Sequence, residues 1–100
     1  MAYVYILRSV KCPGEMYVGF SADLDQRIKY HNSGRSPHTY KFMPWEIVYT
    51  EQFESAADAQ RRERQIKGWT RAKKEALVAR DFGKLKSLAK SRGFRGSTGH

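Results

Sequence analysis

The pattern of apolar residues predicts an α+β domain with a small antiparallel sheet, in the order β-β-α-β-α-α. Three observations carry that expectation. Two short runs rich in aromatic and β-branched residues flank a Pro-Gly turn, the signature of a hairpin. Apolar residues then recur at helical spacing in three later stretches, with one strand-like run among them. The chain has 100 residues, one domain's length.

Tyr3 to Arg8 reads as the first strand and Met16 to Phe20 as the second. Between them Lys11-Cys12-Pro13-Gly14 forms the turn, since Pro fixes φ and Gly accepts positive φ. Tyr3, Tyr5 and Leu7 share one face of the first strand, and Tyr17 and Gly19 share one face of the second. If Leu7 pairs with Tyr17, Tyr5 comes to face Gly19. Ser21 is the expected cap of a helix from about Ala22 to Asn32, ended by Gly34. Leu24, Ile28 and His31 form its apolar stripe, and Arg27 lies beside that stripe.

Residues 33–43 are polar and turn-rich, a loop expected to lie over a site. Pro44 precedes the third strand, Trp45 to Thr50. Ser55-Ala56-Ala57-Asp58 marks the start of a helix that runs to about Lys67. Its stripe is Ala56, Ala59, Glu63 and Ile66, so Glu63 is a carboxylate on an apolar face. Arg61, Arg62 and Arg64 fall on the solvent side. Gly68 stops this helix and Thr70 caps the next, whose expected face is Ala72, Ala76, Leu77 and Arg80. Leu85, Leu88 and Ala89 suggest a further turn of helix, and the glycines after Ser91 a frayed tail. The organisation expected is a domain over residues 1–81 and a basic extension over 82–100.

Nineteen Lys and Arg against ten Asp and Glu give a formal charge of +9. The first fifty residues hold six basic and four acidic side chains; the second fifty hold thirteen and six. The second half therefore reads as a surface for a polyanion, and nucleic acid is the commonest such partner. A lone cysteine, Cys12, excludes a disulfide scaffold. The longest apolar run has seven residues, Met1 to Leu7, too short for a bilayer, which needs about 20. No secretory leader is visible, so the expectation is a cytoplasmic protein without a membrane partner. Cys12, His31 and His38 lack the spacing of a zinc site, and no glycine-rich phosphate loop is present.

Five residues are at odds with a plain core: Tyr5, Tyr17, Arg27, His31 and Glu63. Hydrolysis of a phosphodiester needs a base for water and a cation for the developing charge. Tyrosines can position or deprotonate water, and arginine matches phosphate geometry with its planar fork. A carboxylate can hold one magnesium ion against phosphate oxygens. Alternatively, Glu63 only forms a salt bridge to Arg27 or Lys67.

The ordered set Tyr3-Val4-Tyr5 then Tyr17-Val18-Gly19 resembles the paired motif of the GIY-YIG nuclease superfamily. Arg27 follows within Leu24-Asp25-Gln26-Arg27-Ile28. His31-Asn32-Ser33-Gly34 resembles the helix end of its small YhbQ-like, single-domain members, and Glu63-Arg64-Gln65-Ile66-Lys67 the family's metal-binding glutamate with its Ile-Lys pair. The resemblance spans residue 3 to about residue 78. It implies a three-stranded antiparallel sheet flanked by helices and cutting of DNA with one divalent cation, Mg²⁺ or Mn²⁺, to 5′-phosphate and 3′-hydroxyl ends.

By this resemblance Tyr5 is the favoured general base, with Tyr17 orienting the water or the phosphate. Arg27 stabilises the pentavalent phosphate, His31 orients the nucleophile or contacts phosphate, and Glu63 ligates the metal. The cluster Lys67, Trp69, Arg71, Lys73 and Lys74 is the expected nucleic-acid contact. DNA is the expected partner, RNA a second candidate, and a protein partner could supply specificity, since no separate DNA-binding domain fits in this length.

Two departures stand out. Tyr3 occupies the place of the family's first Gly. The chain's one asparagine, Asn32, lies far from the late Asn that many family nucleases carry. The second departure motivates another reading, a basic nucleic-acid-binding accessory module with weak or no catalysis.

Overall fold

A computed structural model describes residues 1–88 of the chain. The order is β1 Ala2–Ser9, β2 Met16–Ser21, α1 Leu24–Asn32, a 3₁₀ turn Tyr40–Phe42, β3 Trp45–Phe53, α2 Ala56–Lys67 and α3 Arg71–Val78. The three strands form one antiparallel sheet in the order β2-β1-β3, so the predicted class and element order are those observed. The register is the conditional one: Leu7 faces Tyr17 and Tyr5 faces Gly19.

β1 is the central strand, and its side chains are buried on both faces. Val4 and Ile6 point one way, Tyr5 and Leu7 the other. Full burial of an aliphatic chain such as Ile6 or Leu7 stabilises by roughly 1.5–3 kcal/mol. Tyr5, Leu7 and Trp45 form a buried cluster, with Tyr17, Leu24, Ile28, Phe42 and Ile47 packed against it. The β1–β3 pairing slips between Ile6 and Leu7, where Ile6 faces Tyr49 and Leu7 faces Ile47. The bulge leaves Val48 out of register and keeps Ile47 over that cluster.

α1 starts later than expected. Its cap is Asp23, in extended conformation, with Oδ1 accepting from the Gln26 N–H at 3.0 Å. Ser21 instead closes a small turn, exchanging hydrogen bonds with the Asp23 backbone. A carboxylate suits the helix dipole better than a hydroxyl does. At the other end Asn32 works like a strand edge. Its amide donates to the Trp45 carbonyl at 3.0 Å and accepts from the Trp45 N–H at 2.6 Å, which ties α1 to the start of β3.

Residues 33–43 are not a loose loop. Ser36 and Thr39 are buried, and the Ser36 carbonyl accepts from the Thr39 and Tyr40 amides. The Thr39 carbonyl accepts from the Trp45 indole at 2.8 Å. Ser9 Oγ reaches across to the Phe42 carbonyl at 2.6 Å. β3 runs three residues beyond Thr50, to Phe53. There Glu51 takes a fork of hydrogen bonds from Arg62 and one from Tyr49. Arg62 therefore locks α2 to β3 and does not belong to the solvent side with exposed Arg61 and Arg64.

The chain divides after Lys67 into two compact units. In the first, α2 packs along β2 and β1, and α1 along β3. In the second, Thr70 caps α3 as expected, accepting from Lys73 N–H. The buried side chains of α3 are Lys73, Ala76 and Leu77, while Ala72 and Arg80 are exposed. Ala76 and Leu77 of the expected face are buried, while in the first turn Lys73 takes the place expected of Ala72. A further helical segment covers 82–88, with the Asp81 carboxylate accepting from Lys84 N–H. Ala89 and the expected tail lie outside the described residues. No described helix is long and apolar enough to cross a membrane.

Candidate active site

The five singled-out side chains line one cleft of about 250 Å³. Tyr5 comes from β1, Tyr17 from β2, Arg27 and His31 from α1, and Glu63 from α2. Gly19, Phe20, Tyr30, Ser36 and His38 complete the wall. Gly19 has a local reason to lack a side chain. A Cβ there would lie 2.6 Å from Tyr5 Cζ and closer still to the phenol oxygen. The strand register thus lets the Tyr5 ring lie over the backbone of β2 and reach α1.

Tyr5 Oη lies 3.0 Å from His31 Nε2, and His31 Nδ1 lies 2.9 Å from Thr39 Oγ1. His31 is only 3% exposed. Burial first, and then the Arg27 charge, lower its pKa to about 4, so the imidazole is neutral near pH 7. Burial also pushes the Tyr5 phenol above its ordinary range. The Tyr17 phenol and, less strongly, Glu63 add to that rise, and Arg27 opposes it. Tyr5 is therefore a neutral phenol in the free protein. A neutral His31 with its proton on Nδ1 donates to Thr39 and accepts from Tyr5.

This arrangement links stability to pH. The His31 pKa is lowered on folding from 6.5 to about 4, so the unfolded chain binds the extra proton first as pH falls. The stabilisation is complete above about pH 6.5 and is lost as pH drops towards 4. Urea unfolding at a series of pH values checks this. His31→Gln is expected to flatten the profile between pH 4 and 6.5, and an unchanged slope in that variant would refute the assignment.

The Glu63 side chain is 12% exposed, and its Oε2 pairs with Lys67 Nζ at 2.9 Å. The same ammonium lies 5.3 Å from the centre of the Tyr17 ring. Lys67, expected as a contact to the nucleic-acid backbone, is thus held at the cleft by a carboxylate and an aromatic face. A hard divalent ion fits this donor set. It requires one or two carboxylate oxygens, with water and phosphate oxygens for the rest, and Glu63 Oε1 is not the oxygen that Lys67 holds. Among the described residues no group of three or more His, Cys, Asp or Glu side chains is placed to hold a metal by itself.

Trp69, Arg71, Lys73 and Lys74 belong to the second unit. Lys73 is 7% exposed, with Nζ 4.3 Å from the centre of the Trp69 ring. Lys73, expected as a nucleic-acid contact, is buried there, and Trp69 is half-buried beside it. Arg71 is exposed and Lys74 partly so. Sequence reasoning missed Thr39, Ser36, Tyr30 and His38. Thr39 follows His31 by eight positions across a turn, a spacing with no periodic signature.

The model of the GIY-YIG catalytic domain family matches residues 1–76. The UPF0213 protein NP_0776A of Natronomonas pharaonis is 40% identical over 83 residues, covering 81% of this chain and 94% of that protein. The UPF0213 protein SSP2268 of Staphylococcus saprophyticus is 38% identical over 79 residues, covering 77% and 93%. Among solved structures, the solution NMR structure of the UPF0213 protein BH0048 from Bacillus halodurans superimposes with a TM-score of 0.50. It has 41% identity and covers 79% of this chain and 84% of that one.

Proposed function

The chain belongs to the GIY-YIG family, and on that premise we propose that it is a divalent-metal-dependent endonuclease that hydrolyses DNA phosphodiester bonds, selecting single-stranded or branched structure. The observation that carries this reading is the meeting of Tyr5, Tyr17, Arg27, His31 and Glu63 in one cleft. Family membership supports the chemistry. A wall of guanidinium, phenols and imidazoles suits the strand backbone, which favours recognition by shape.

Arg27 is exposed at the cleft wall and presents a fixed positive fork to the scissile phosphate. Water is held between the phenol oxygens of Tyr5 and Tyr17. As its oxygen attacks phosphorus, the water's proton passes to Tyr5 Oη while Tyr5 gives its own to His31 Nε2. The lowered pKa keeps His31 neutral, with an Nε2 lone pair facing Tyr5, but makes it a weak base, so the negative charge developing on the phosphate must raise its proton affinity as the reaction proceeds. The P–O3′ bond breaks, leaving a 5′-phosphate, and the 3′ oxygen takes a proton from solvent. Glu63 would hold the divalent ion, which supplies positive charge to the phosphate oxygens and lowers the pKa of nearby water.

Thr39 is a positioning residue in this scheme. It accepts the Nδ1 proton of His31, which leaves Nε2 free to receive a proton from Tyr5. Thr39→Val is expected to move the imidazole proton to Nε2, reverse the hydrogen bond to Tyr5, and slow cutting about 10- to 100-fold. Thr39→Ser should restore both. Ring ¹⁵N shifts of His31 read the tautomer directly, and an unchanged tautomer in Thr39→Val would refute the role.

The function is tested on a panel of single-stranded, flapped, forked and duplex DNA, with matching RNA, under Mg²⁺, Mn²⁺ or chelator. Divalent-dependent cutting of a subset supports the proposal. The Glu63–Lys67 ion pair favours a second reading, a nucleic-acid-binding accessory module. Salt-sensitive binding with no turnover on any substrate would select it.

A further inference from the structure

A second, larger depression of about 530 Å³ lies on α1, and it shares Arg27 and Tyr30 with the cleft. Its other walls include Lys29 and Arg35. Local chain geometry brings these together. Arg27 and Tyr30 are three residues apart on one helix face, with the guanidinium 5.5 Å from the ring centre. Gly34 follows the helix with φ +84, a left-handed conformation that ends α1 and folds Arg35 back beside it. Arg35 is fixed there by two bonds to Ser33 Oγ, from its backbone N–H and from Nε, each 3.2 Å.

The charge in the depression is one-sided. Arg27, Lys29 and Arg35 face one carboxylate, Asp23. That carboxylate is engaged, since its Oδ1 caps α1. Arg27, Lys29 and Arg35 are exposed. Lys29 has no acidic partner within the depression, and the hydrogen-bonding edge of Arg35 beyond Nε is left for a ligand. A continuous strand bound at the cleft must pass on across a neighbouring surface. The wall shared through Arg27 and Tyr30 makes this depression the direct exit.

We propose that the depression is a phosphate subsite. Lys29 and Arg35 bind an internal phosphodiester of the nucleic-acid strand next to the one in the cleft. The proposal rests on the nuclease reading for the direction of the strand, and it moves the polyanion surface from the basic second half of the chain to α1. The contacts are to phosphate, so the subsite adds affinity and register without reading sequence.

The test is equilibrium binding of a fluorescent single-stranded oligonucleotide by the full chain, without divalent ions, over a range of salt. Lys29→Ala/Arg35→Ala is expected to weaken binding about tenfold at low salt. It should lower the slope of log affinity against log salt by about 0.7, for the one phosphate charge no longer neutralised. Arg61→Ala/Arg64→Ala removes the same formal charge from the exposed side of α2 and is the control. Equal weakening in the two double variants, or a wild-type slope in the first, overturns the subsite. Binding that requires a 5′-phosphate on the oligonucleotide also overturns it, because the site would then read strand ends. Binding by the subsite without cutting by the wild type would remove the enzymatic reading alone. Cutting with unaltered binding in the first double variant would remove the subsite alone.

Discussion

Glu63→Gln is expected to reduce divalent-dependent cutting by about 10³-fold or more while leaving the protein folded. The substitution keeps shape and removes one negative charge from a cleft whose other charged wall residue, Arg27, is positive. Without that carboxylate the phosphate and the guanidinium remain, but no anionic oxygen is left at Glu63 to hold a divalent ion. Stability should change little. The ion pair to Lys67 is partly exposed, with the lysine side chain 46% accessible, and such pairs contribute about 0–1 kcal/mol. Thermal unfolding of the variant within a few degrees of wild type, together with abolished cutting, assigns the effect to chemistry. Equal cutting by variant and wild type would end the assignment of Glu63 as the metal ligand.

Glu63 could be found from sequence because a carboxylate on an apolar helical stripe is costly unless it is paired or used. The hairpin was legible for a different reason. Side chains alternate along a strand, so a single pairing choice puts Tyr5 opposite Gly19, and the observed register is that choice. What the chain does not announce are contacts between distant polar groups. Thr39 holds His31 through a loop, and Asn32 imitates a strand edge for Trp45. Both depend on how residues 33–43 fold back, and no periodicity encodes that. The Lys73 position shows a third limit. A helix as short as α3 leaves the first turn of its buried face open by one position, and there Lys73 is buried where Ala72 was expected.

Gly19→Ala has the other large expected effect, and it separates packing from chemistry. The added methyl would meet Tyr5 Cζ at 2.6 Å and the phenol oxygen at a shorter distance still. Tyr5 is 3% exposed and packed in the core cluster with Leu7 and Trp45, so moving its ring disturbs that packing. Overpacking of this kind costs about 1–3 kcal/mol, and relief requires moving the phenol away from His31 Nε2. Stability and cutting should therefore fall together in Gly19→Ala. Tyr5→Phe should differ, losing the relay to His31 while keeping the ring and most of the stability. In the Tyr5→Phe background the cost of Gly19→Ala should shrink, since the atom nearest the new methyl is gone, while the contact with Cζ keeps part of it. Urea unfolding of the four proteins in that cycle measures the coupling. A Gly19→Ala protein as stable as wild type, or a cost unchanged by Tyr5→Phe, would show that the β2 backbone does not hold the phenol in place.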